Sequence, residues 1–283
     1  MLTPIKELML FCLFGTIGII CSCSNTNDGP LTRAGVFQTP VGDAMIEGEL
    51  FLPDGDGPFP SMIIIGGSGN DTREIYEPFA SVINQNGYAL YIYDKRGVGN
   101  STGSYPAEIK ALITARTEDI TGILALLNSH SLINNERIGL YGESQGAWIN
   151  SKVYENHPSL AYMIMASGGV ASTGLEGYYC SLTDDANITI EEAISALDTY
   201  DGDMGFDPLP TLERMELPVL WIYGLEDRSH PARYDIDVLE SLNKSNFTVI
   251  AYENTDHALI DLTTMQRPMS FISDIDQWLL SNN

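Results

Sequence analysis

The sequence predicts an α/β protein in which a mostly parallel sheet is covered by helices on both faces. Short apolar runs rich in Ile, Val and Tyr alternate with longer helical stretches, and this order is typical of β-α-β crossovers. Several of the runs are apolar at nearly every position, as strands buried on both faces are. The 283 residues, 44% of them apolar, are enough for one domain with a full core.

Eight apolar runs predict the strands of this sheet. Most hold about four to six residues and are bounded by turn-forming or acidic residues. The first two lie close together and are expected to pair with each other, and the third runs into a glycine-rich loop. The predicted strands are, in order, 36–38, 45–52, 61–65, 88–94, 138–141, 162–165, 218–223 and 247–252.

Stretches of helical periodicity lie between the later strands. The first of them is ended by Gly87, a residue that commonly follows a helix. A long stretch follows the fourth strand, and another helix closes the chain. The predicted helices are 74–86, 108–127, 147–156, 190–200, 233–242 and 271–280.

One segment, at about 168–214, interrupts the alternation because it has no strand of its own. So long an excursion in a compact domain usually forms a functional insertion, and we expect a small cap here. Its acidic string "DTYDGDMGFD" lacks the spacing of a calcium loop, so a solvated loop is the better interpretation.

The N-terminus reads as an export signal. Leu8–Ile20 is an apolar run too short to span a bilayer comfortably, and it suits a signal peptide covering 1–22. The end of the run resembles a bacterial lipoprotein signal, with lipid on Cys23 and a polar tether over 23–35 before a domain at 36–283. The expected location is the periplasm or the cell surface, with membrane contact through the lipid alone. Plain secretion and an uncleaved anchor are the alternatives.

Charge and cysteine usage exclude several classes of function. With 14 basic and 38 acidic residues the net charge is −24, which would repel nucleic acid and leaves a preference for cationic substrates open. After signal cleavage and lipidation only Cys180 would remain unmodified, where a small apolar role is expected. No paired cysteines or histidine–cysteine cluster predict a metal, so we expect neither a metal nor a cofactor.

The segment Gly142-Glu143-Ser144-Gln145-Gly146 matches the G-x-S-x-G nucleophile elbow, which sits at a sharp turn between a strand and a helix. Glycines on either side of the serine avoid collisions with the neighbouring strand and helix. An ordinary structural turn is the alternative. A reactive serine also needs a base, and the base needs a carboxylate to orient it.

His257 is the expected base, because it follows the last predicted strand at its carboxyl end. His130 precedes the serine in the chain, and His157 lies on the turn before the next strand, on the side away from the site. His230, in a loop after a strand, stays an alternative.

Asp227 is the expected orienting acid, because it lies just beyond the strand that ends at Tyr223. Glu226 is the neighbouring competitor. Asp256 is too near His257 in sequence to point easily at its ring.

Two backbone N–H groups are needed for the oxyanion. The residue after the nucleophile, Gln145, supplies one. The loop "IIIGGSGND" after the third strand is the expected source of the other, since it lacks the lysine and the spacing of a phosphate-binding loop.

Several segments, taken together, resemble the α/β-hydrolase superfamily over nearly all of the chain from about residue 36. They are "MIIIGGSGNDTRE", "YIYDKRGVGNSTG", "IGLYGESQGAWI", "VLWIYGLEDRS" and "NTDHAL". More narrowly, they are similar to bacterial esterases, serine aminopeptidases of the S33 type and dienelactone-hydrolase-like members.

The resemblance implies roles for particular residues. Ser144, Asp227 and His257 match the nucleophile, acid and base, while Gln145 and Ser68 match the backbone donors to the oxyanion. Asp94 and Arg96 match a loop that braces the site. One departure is plain: Gly66-Gly67 stands where members usually have His-Gly, and that histidine normally supports the loop. The departure puts the rigidity of the loop in question.

The expected function is hydrolysis of carboxylic esters through an acyl-enzyme, with a small ester or short peptide as the partner. A peptidase or amidase with the same three residues is the first alternative. A coenzyme A thioesterase is less favoured, because its polyanionic substrate meets a strongly acidic chain. A surface lipoprotein that binds a ligand on an inactive hydrolase scaffold is the alternative from another class.

Overall fold

The computed structural model describes residues 32–282. The predicted signal peptide, Cys23 and most of the predicted tether lie outside these residues. Over the described range, eight strands form one sheet in the order β1-β2-β4-β3-β5-β6-β7-β8. The strands are β1 Thr32–Val41, β2 Ala44–Leu52, β3 Phe59–Ile65, β4 Ala89–Tyr93, β5 Ile133–Glu143, β6 Tyr162–Ala166, β7 Val219–Gly224 and β8 Phe247–Tyr252.

Eight α-helices connect or flank these strands in the same part of the chain, and a 3₁₀ turn at Arg73–Tyr76 precedes the first. The helices are α1 Glu77–Gln85, α2 Ile109–Ser129, α3 Gln145–Asn156, α4 Thr173–Thr183, α5 Ile190–Leu197, α6 Leu209–Arg214, α7 Ala232–Leu242 and α8 Phe271–Ser281. Within residues 32–282, no helix has both the length and the apolar character needed to cross a bilayer.

The sheet is mostly parallel, which confirms the predicted architecture. Strand β2 pairs antiparallel with both β1 and β4, whereas all pairings among β3 to β8 are parallel. The carboxyl ends of β3 and β5 to β8 therefore lie along one edge of the sheet. Loops at this edge are where side chains from distant parts of an α/β chain meet.

Alternate residues of each central strand pack on opposite faces, and both faces are covered by helices. In β3, Ile63 and Ile65 join the cluster that includes residues of α2, α3 and α7, while Met62 and Ile64 join the one formed with α1 and α8. All four side chains are buried. This double burial explains why the strands read as unbroken apolar runs.

The structure differs from the predicted elements in several places, and helices α4 and α6 have no predicted counterpart. Strand β1 begins at Thr32, inside the predicted tether, because Thr32 and Arg33 already pair with the end of β2. The predicted helix 190–200 ends at Leu197. The sequence did not predict α4, whose composition includes Gly174 and Gly177 and so lowers its helix propensity.

The predicted insertion is built of two parts. Helices α4 and α5 pack together around a small apolar cluster that includes Leu175, Tyr179 and Leu197. Helix α6 instead returns to the main core, where its Leu212 is buried. The predicted cap thus corresponds to the α4–α5 pair, which follows the carboxyl end of β6.

Candidate active site

Ser144 lies at the turn between β5 and α3, where its backbone has a φ of 54° and a ψ of −120°. This conformation is strained for a residue with a side chain. Two glycines make the turn feasible: a Cβ on Gly142 would lie 2.5 Å from the carbonyl oxygen of Gly146, and one on Gly146 would lie 2.1 Å from that of Ile65. The turn leaves the serine partly exposed.

The structure brings Ser144, His257 and Asp227 together. The Nε2 atom of His257 lies 3.0 Å from the Oγ of Ser144, and its Nδ1 lies 2.7 Å from Oδ2 of Asp227. The imidazole side chain is 15% exposed and the carboxylate is buried. With Nδ1–H donated to the carboxylate, Nε2 carries the lone pair that can accept the hydroxyl proton.

The neighbouring parallel strands β7 and β8 end at the same edge of the sheet, and Asp227 and His257 follow them. Asp227 follows β7, and its Oδ1 accepts the backbone N–H groups of Ser229 at 2.7 Å and His230 at 2.8 Å. His257 follows β8, in a turn where Asp256 accepts the N–H of Ala258 through its own Oδ1. Asp227 is therefore fixed on both carboxylate oxygens before any substrate arrives.

The carboxylate of Asp227 sets the protonation of His257. Burial by itself would lower the pKa of the imidazole, but the adjacent Asp227 more than offsets this and raises it above its ordinary value. The competing acid Glu226 is only loosely paired, 3.6 Å from Arg233, and the structure does not place it at the ring.

Two other histidines lie elsewhere in the fold. His130 caps the end of α2, and Nε2 of His157 lies 3.0 Å from Oγ1 of Thr121 on the same helix.

His230 lies next to Asp227, and both nitrogens of its ring contact carboxylates. Its Nδ1 lies 2.6 Å from Oε2 of Glu176 and its Nε2 lies 2.6 Å from Oδ2 of Asp235. Burial would lower the pKa of this imidazole, yet the two carboxylates raise it well above its ordinary value. A histidine held as an imidazolium between two acids has no lone pair for general-base work.

The cap helix α4 contacts the loop that carries Asp227. Besides Glu176, three of its side chains reach this loop: Tyr179 donates its hydroxyl to the carbonyl of Asp227 at 2.7 Å, and Cys180 and Thr183 reach the next carbonyls. These positions recur every three or four residues and so share one helix face. Helix α4 is thereby bound to the loop that carries Asp227.

The glycine-rich loop after β3 lies directly against Ser144. A Cβ on Gly67 would lie 3.2 Å from the Cβ of Ser144. Ser68 follows in the exposed part of this loop, and Gln145 begins α3 immediately after the serine. Both predicted oxyanion donors thus belong to segments next to Ser144, and their role stays a prediction.

The neighbouring ring of Tyr76 explains why residue 66 is a glycine. A Cβ at this position would lie 2.2 Å from the hydroxyl oxygen of Tyr76, so the ring of Tyr76 occupies the space that a side chain would need. The histidine that the sequence resemblance leads us to expect here could not fit without displacing that ring.

Two basic side chains donate hydrogen bonds to carbonyl oxygens of the glycine-rich loop. The sequence analysis predicted a role for neither. Lys95 donates to the carbonyl oxygens of Gly67 at 3.1 Å and Gly69 at 2.7 Å. Arg116 donates to the carbonyl of Gly66 at 2.7 Å. Lys95 stands in the quoted segment "YDKRG", but nothing in the pattern shows where its side chain points.

Asp94 and Arg96 each form a buried ion pair, and their bracing role stays a prediction. Asp94 accepts from the Nη1 of Arg73 at 2.6 Å, and Arg96 binds both oxygens of Asp119 on α2. Within residues 32–282, no group of three or more His, Cys, Asp or Glu side chains is arranged to hold a metal ion.

Comparison with known proteins finds a family model and several curated relatives that are similar to this chain. The model of the family described as "Serine aminopeptidase, S33" matches residues 59–176. Human acyl-coenzyme A thioesterase 6 is 23% identical over 256 residues, 85% of this chain and 58% of the relative. The 2,6-dihydropseudooxynicotine hydrolase of Paenarthrobacter nicotinovorans is 24% identical over 221 residues, 75% and 56% of the two chains. The chain spans about half the length of the curated relatives it matches.

Solved structures give the same fold. An esterase of Pyrococcus furiosus has a TM-score of 0.67 at 15% identity, covering 89% of this chain and 91% of that one. Proline iminopeptidase of Mycobacterium smegmatis has a TM-score of 0.65 at 15% identity, covering 88% and 98%. The chain therefore has the α/β-hydrolase fold. Its segment 59–176 is the part that matches the S33 family.

Proposed function

We propose that this protein is a serine hydrolase that cleaves carboxylic esters through an acyl-enzyme on Ser144. The observation that carries the proposal is the continuous chain of contacts from Oγ of Ser144 to Nε2 of His257 at 3.0 Å, and from Nδ1 of His257 to Asp227 at 2.7 Å. The strained backbone of Ser144 supports it, because such strain is retained chiefly where function requires it.

The proposed reaction has two halves. Oγ of Ser144 attacks the ester carbonyl while His257 takes its proton, and the N–H groups of Gln145 and Ser68 stabilise the oxyanion. The tetrahedral intermediate collapses, the C–O bond to the alcohol breaks, and His257 returns the proton to the leaving alkoxide. Water, deprotonated by His257, then attacks the acyl-enzyme, and Ser144 leaves with the proton restored.

Thioester hydrolysis is the second candidate, and the named thioesterase relative favours it. A thiolate, with a pKa near ~8.5, leaves more easily than an alkoxide, so the same residues suffice. The net charge of −24 opposes a coenzyme A substrate, which is a polyanion. We therefore rank carboxylic esters first, and thioesters without a nucleotide above coenzyme A thioesters. Export as a lipoprotein through Cys23 is part of the proposal and rests on sequence alone.

A fluorophosphonate probe tests the nucleophile. Wild-type protein should label, and Ser144→Ala should neither label nor hydrolyse p-nitrophenyl esters. Ser151→Ala is the matched control. Ser151 is a buried serine on α3, the helix that Ser144 precedes, and its hydroxyl lies 3.4 Å from the carbonyl oxygen of Ala147. It should label like wild type.

Two results would contradict the proposal. Labelling that persists in Ser144→Ala would place the nucleophile elsewhere. A folded wild type that neither labels nor turns over ester, thioester or anilide substrates would favour the ligand-binding alternative.

A further inference from the structure

Arg116 is a fully buried arginine whose hydrogen-bond acceptors are neutral. Its guanidinium donates to the backbone carbonyls of Gly66 at 2.7 Å and Gly67 at 3.4 Å, and to the side-chain oxygen of Gln145 at 2.7 Å. Burying a cation is costly unless it is well compensated. The buried Arg73 and Arg96, by contrast, each bind a carboxylate. A buried charge directed at backbone carbonyls calls for another reason.

The two segments that Arg116 joins are the two that would supply the oxyanion donors. One nitrogen of the guanidinium binds Gln145, whose N–H is the first donor, and the other binds the loop that leads to Ser68. Because the guanidinium is planar and rigid, it fixes the separation of the groups that it binds. The hydroxyl of Tyr105 donates to the same oxygen of Gln145 at 2.7 Å and keeps that side chain in place.

Lys95 acts on a particular peptide group. The carbonyl of Gly67 and the N–H of Ser68 belong to one planar unit, and in a trans peptide they point in opposite directions. Lys95 holds this carbonyl at 3.1 Å, with Arg116 at 3.4 Å on the same oxygen. The N–H of Ser68 must therefore point away from the two cations. A cation on the carbonyl also polarises the peptide and makes its N–H a stronger donor.

We infer that Arg116 and Lys95 are positioning residues that orient and polarise the Gly67–Ser68 peptide and hold it in register with Gln145 for oxyanion binding. The inference rests on the proposed function of Ser144. It also answers the question raised by Gly66: Tyr76 fills the space beside this residue, and the two cations, rather than a residue within the loop, support the loop.

The charge of Lys95 gives the inference a pH signature. Burial, with Arg116 beside it, lowers the pKa of Lys95 to about 8, although Asp71 and Glu143 act in the opposite direction. The amine therefore loses its proton as the pH rises through about 8, and the polarisation of the Ser68 N–H weakens. Background-corrected kcat of the wild type should fall on that alkaline limb.

Substitution of Arg116 and Lys95 tests the inference. Arg116→Gln and Lys95→Gln should each lower kcat and the rate of fluorophosphonate labelling by about 10- to 100-fold, less than or equal to the loss of a whole oxyanion donor. KM should stay within about threefold, because the ground-state carbonyl depends little on these donors. Lys95→Gln should also lose the alkaline limb.

Lys244→Gln is the matched control for Lys95→Gln. Lys244 precedes β8, at the amino end of that strand, and donates to the backbone carbonyl of Glu213 at 2.8 Å, so the substitution removes the same kind of contact away from the loop. It should leave kcat within about threefold of wild type and keep the alkaline limb.

Chemical rescue separates a direct role from misfolding. Guanidinium ion at millimolar concentration should restore part of the kcat of Arg116→Ala, and urea, which has a similar shape and no charge, should not. If Arg116→Gln does not fold, Lys95→Gln decides the matter by the same readouts. Near-wild-type kcat in a folded Arg116→Gln or Lys95→Gln variant would overturn the inference. Failure of wild type to label would instead overturn the proposed function.

Discussion

One contact, between His257 and Asp227, determines both the position and the protonation of the imidazole. The carboxylate holds Nδ1 at 2.7 Å, so Nε2 faces Ser144 at 3.0 Å. The same carboxylate raises the pKa of the imidazole against the effect of burial. General-base activity requires the neutral ring, so the site should lose activity as the pH falls through this raised pKa.

Asp227→Asn separates the two effects. The amide keeps the shape of the side chain but no longer stabilises the imidazolium, so kcat should fall by about 10⁴-fold, as in other triads. The remaining activity should have its acidic limb at lower pH, because the cause of the raised pKa is gone. A pH profile of kcat/KM measures both. Glu226→Gln, which changes the adjacent acid, is the control and should change neither; an unshifted limb in Asp227→Asn would contradict the role given to this carboxylate.

At the residue scale, sequence reasoning brought out the groups fixed by local pattern and by chain order. Ser144 stands in a five-residue motif, and Asp227 and His257 each follow a strand whose carboxyl end reaches the same edge. Arg116 and Lys95 have no such signal. An arginine in a long helix reads as a solvated charge until the fold shows that its side chain is buried beneath the loop.

At the element scale, α4 links the predicted cap to the edge of the sheet that holds Ser144. Four of its side chains, from Glu176 to Thr183 on one face, contact residues 227–230. The sequence predicted that an insertion would stand here but not its structure, because the helix holds glycines and threonines and its stability comes from tertiary contacts. The imidazolium of His230 is the centre of these contacts, with Glu176 on one side and Asp235 of α7 on the other.

Stability should depend on pH through His230. Its pKa is raised on folding, so its contribution is complete below the unfolded value of ~6.5 and is lost as the pH rises through the folded value. His230→Gln should cost about 3–5 kcal/mol near pH 6, as expected when one partner leaves a buried pair, and less at alkaline pH. Denaturant unfolding of both proteins at several pH values measures the difference.

His157→Gln is the control for this measurement. Burial lowers the pKa of His157, so any difference from wild type should grow, rather than shrink, as the pH rises through ~6.5. A His230 effect that is independent of pH would show that folding does not change the pKa of this ring, and an effect that grows with pH would show that the ring is neutral in the folded protein.

At the scale of the whole molecule, the fold followed from the sequence more completely than the surroundings of the site did. Strands buried on both faces leave a strong pattern, and parallel neighbours follow from the intervening helices. The cap and the packing around the loop depend on contacts between residues distant in sequence, such as Gly66 with Tyr76, which no local pattern records. The net charge of the whole chain, by contrast, follows directly from the sequence.

The net charge of −24 should bias the choice of substrate. A negative potential concentrates cations and repels anions, and it weakens as the Debye length shrinks from about 30 Å at 0.01 M salt to about 3 Å at 1 M. An acetate ester of choline should therefore have a kcat/KM about tenfold above that of its uncharged 3,3-dimethylbutyl isostere at low salt. The two values should converge at high salt, whereas an acyl-coenzyme A should improve with salt. Because the isosteres match in shape, equal values at low salt would mean that the charge lies too far from the site to act on the substrate.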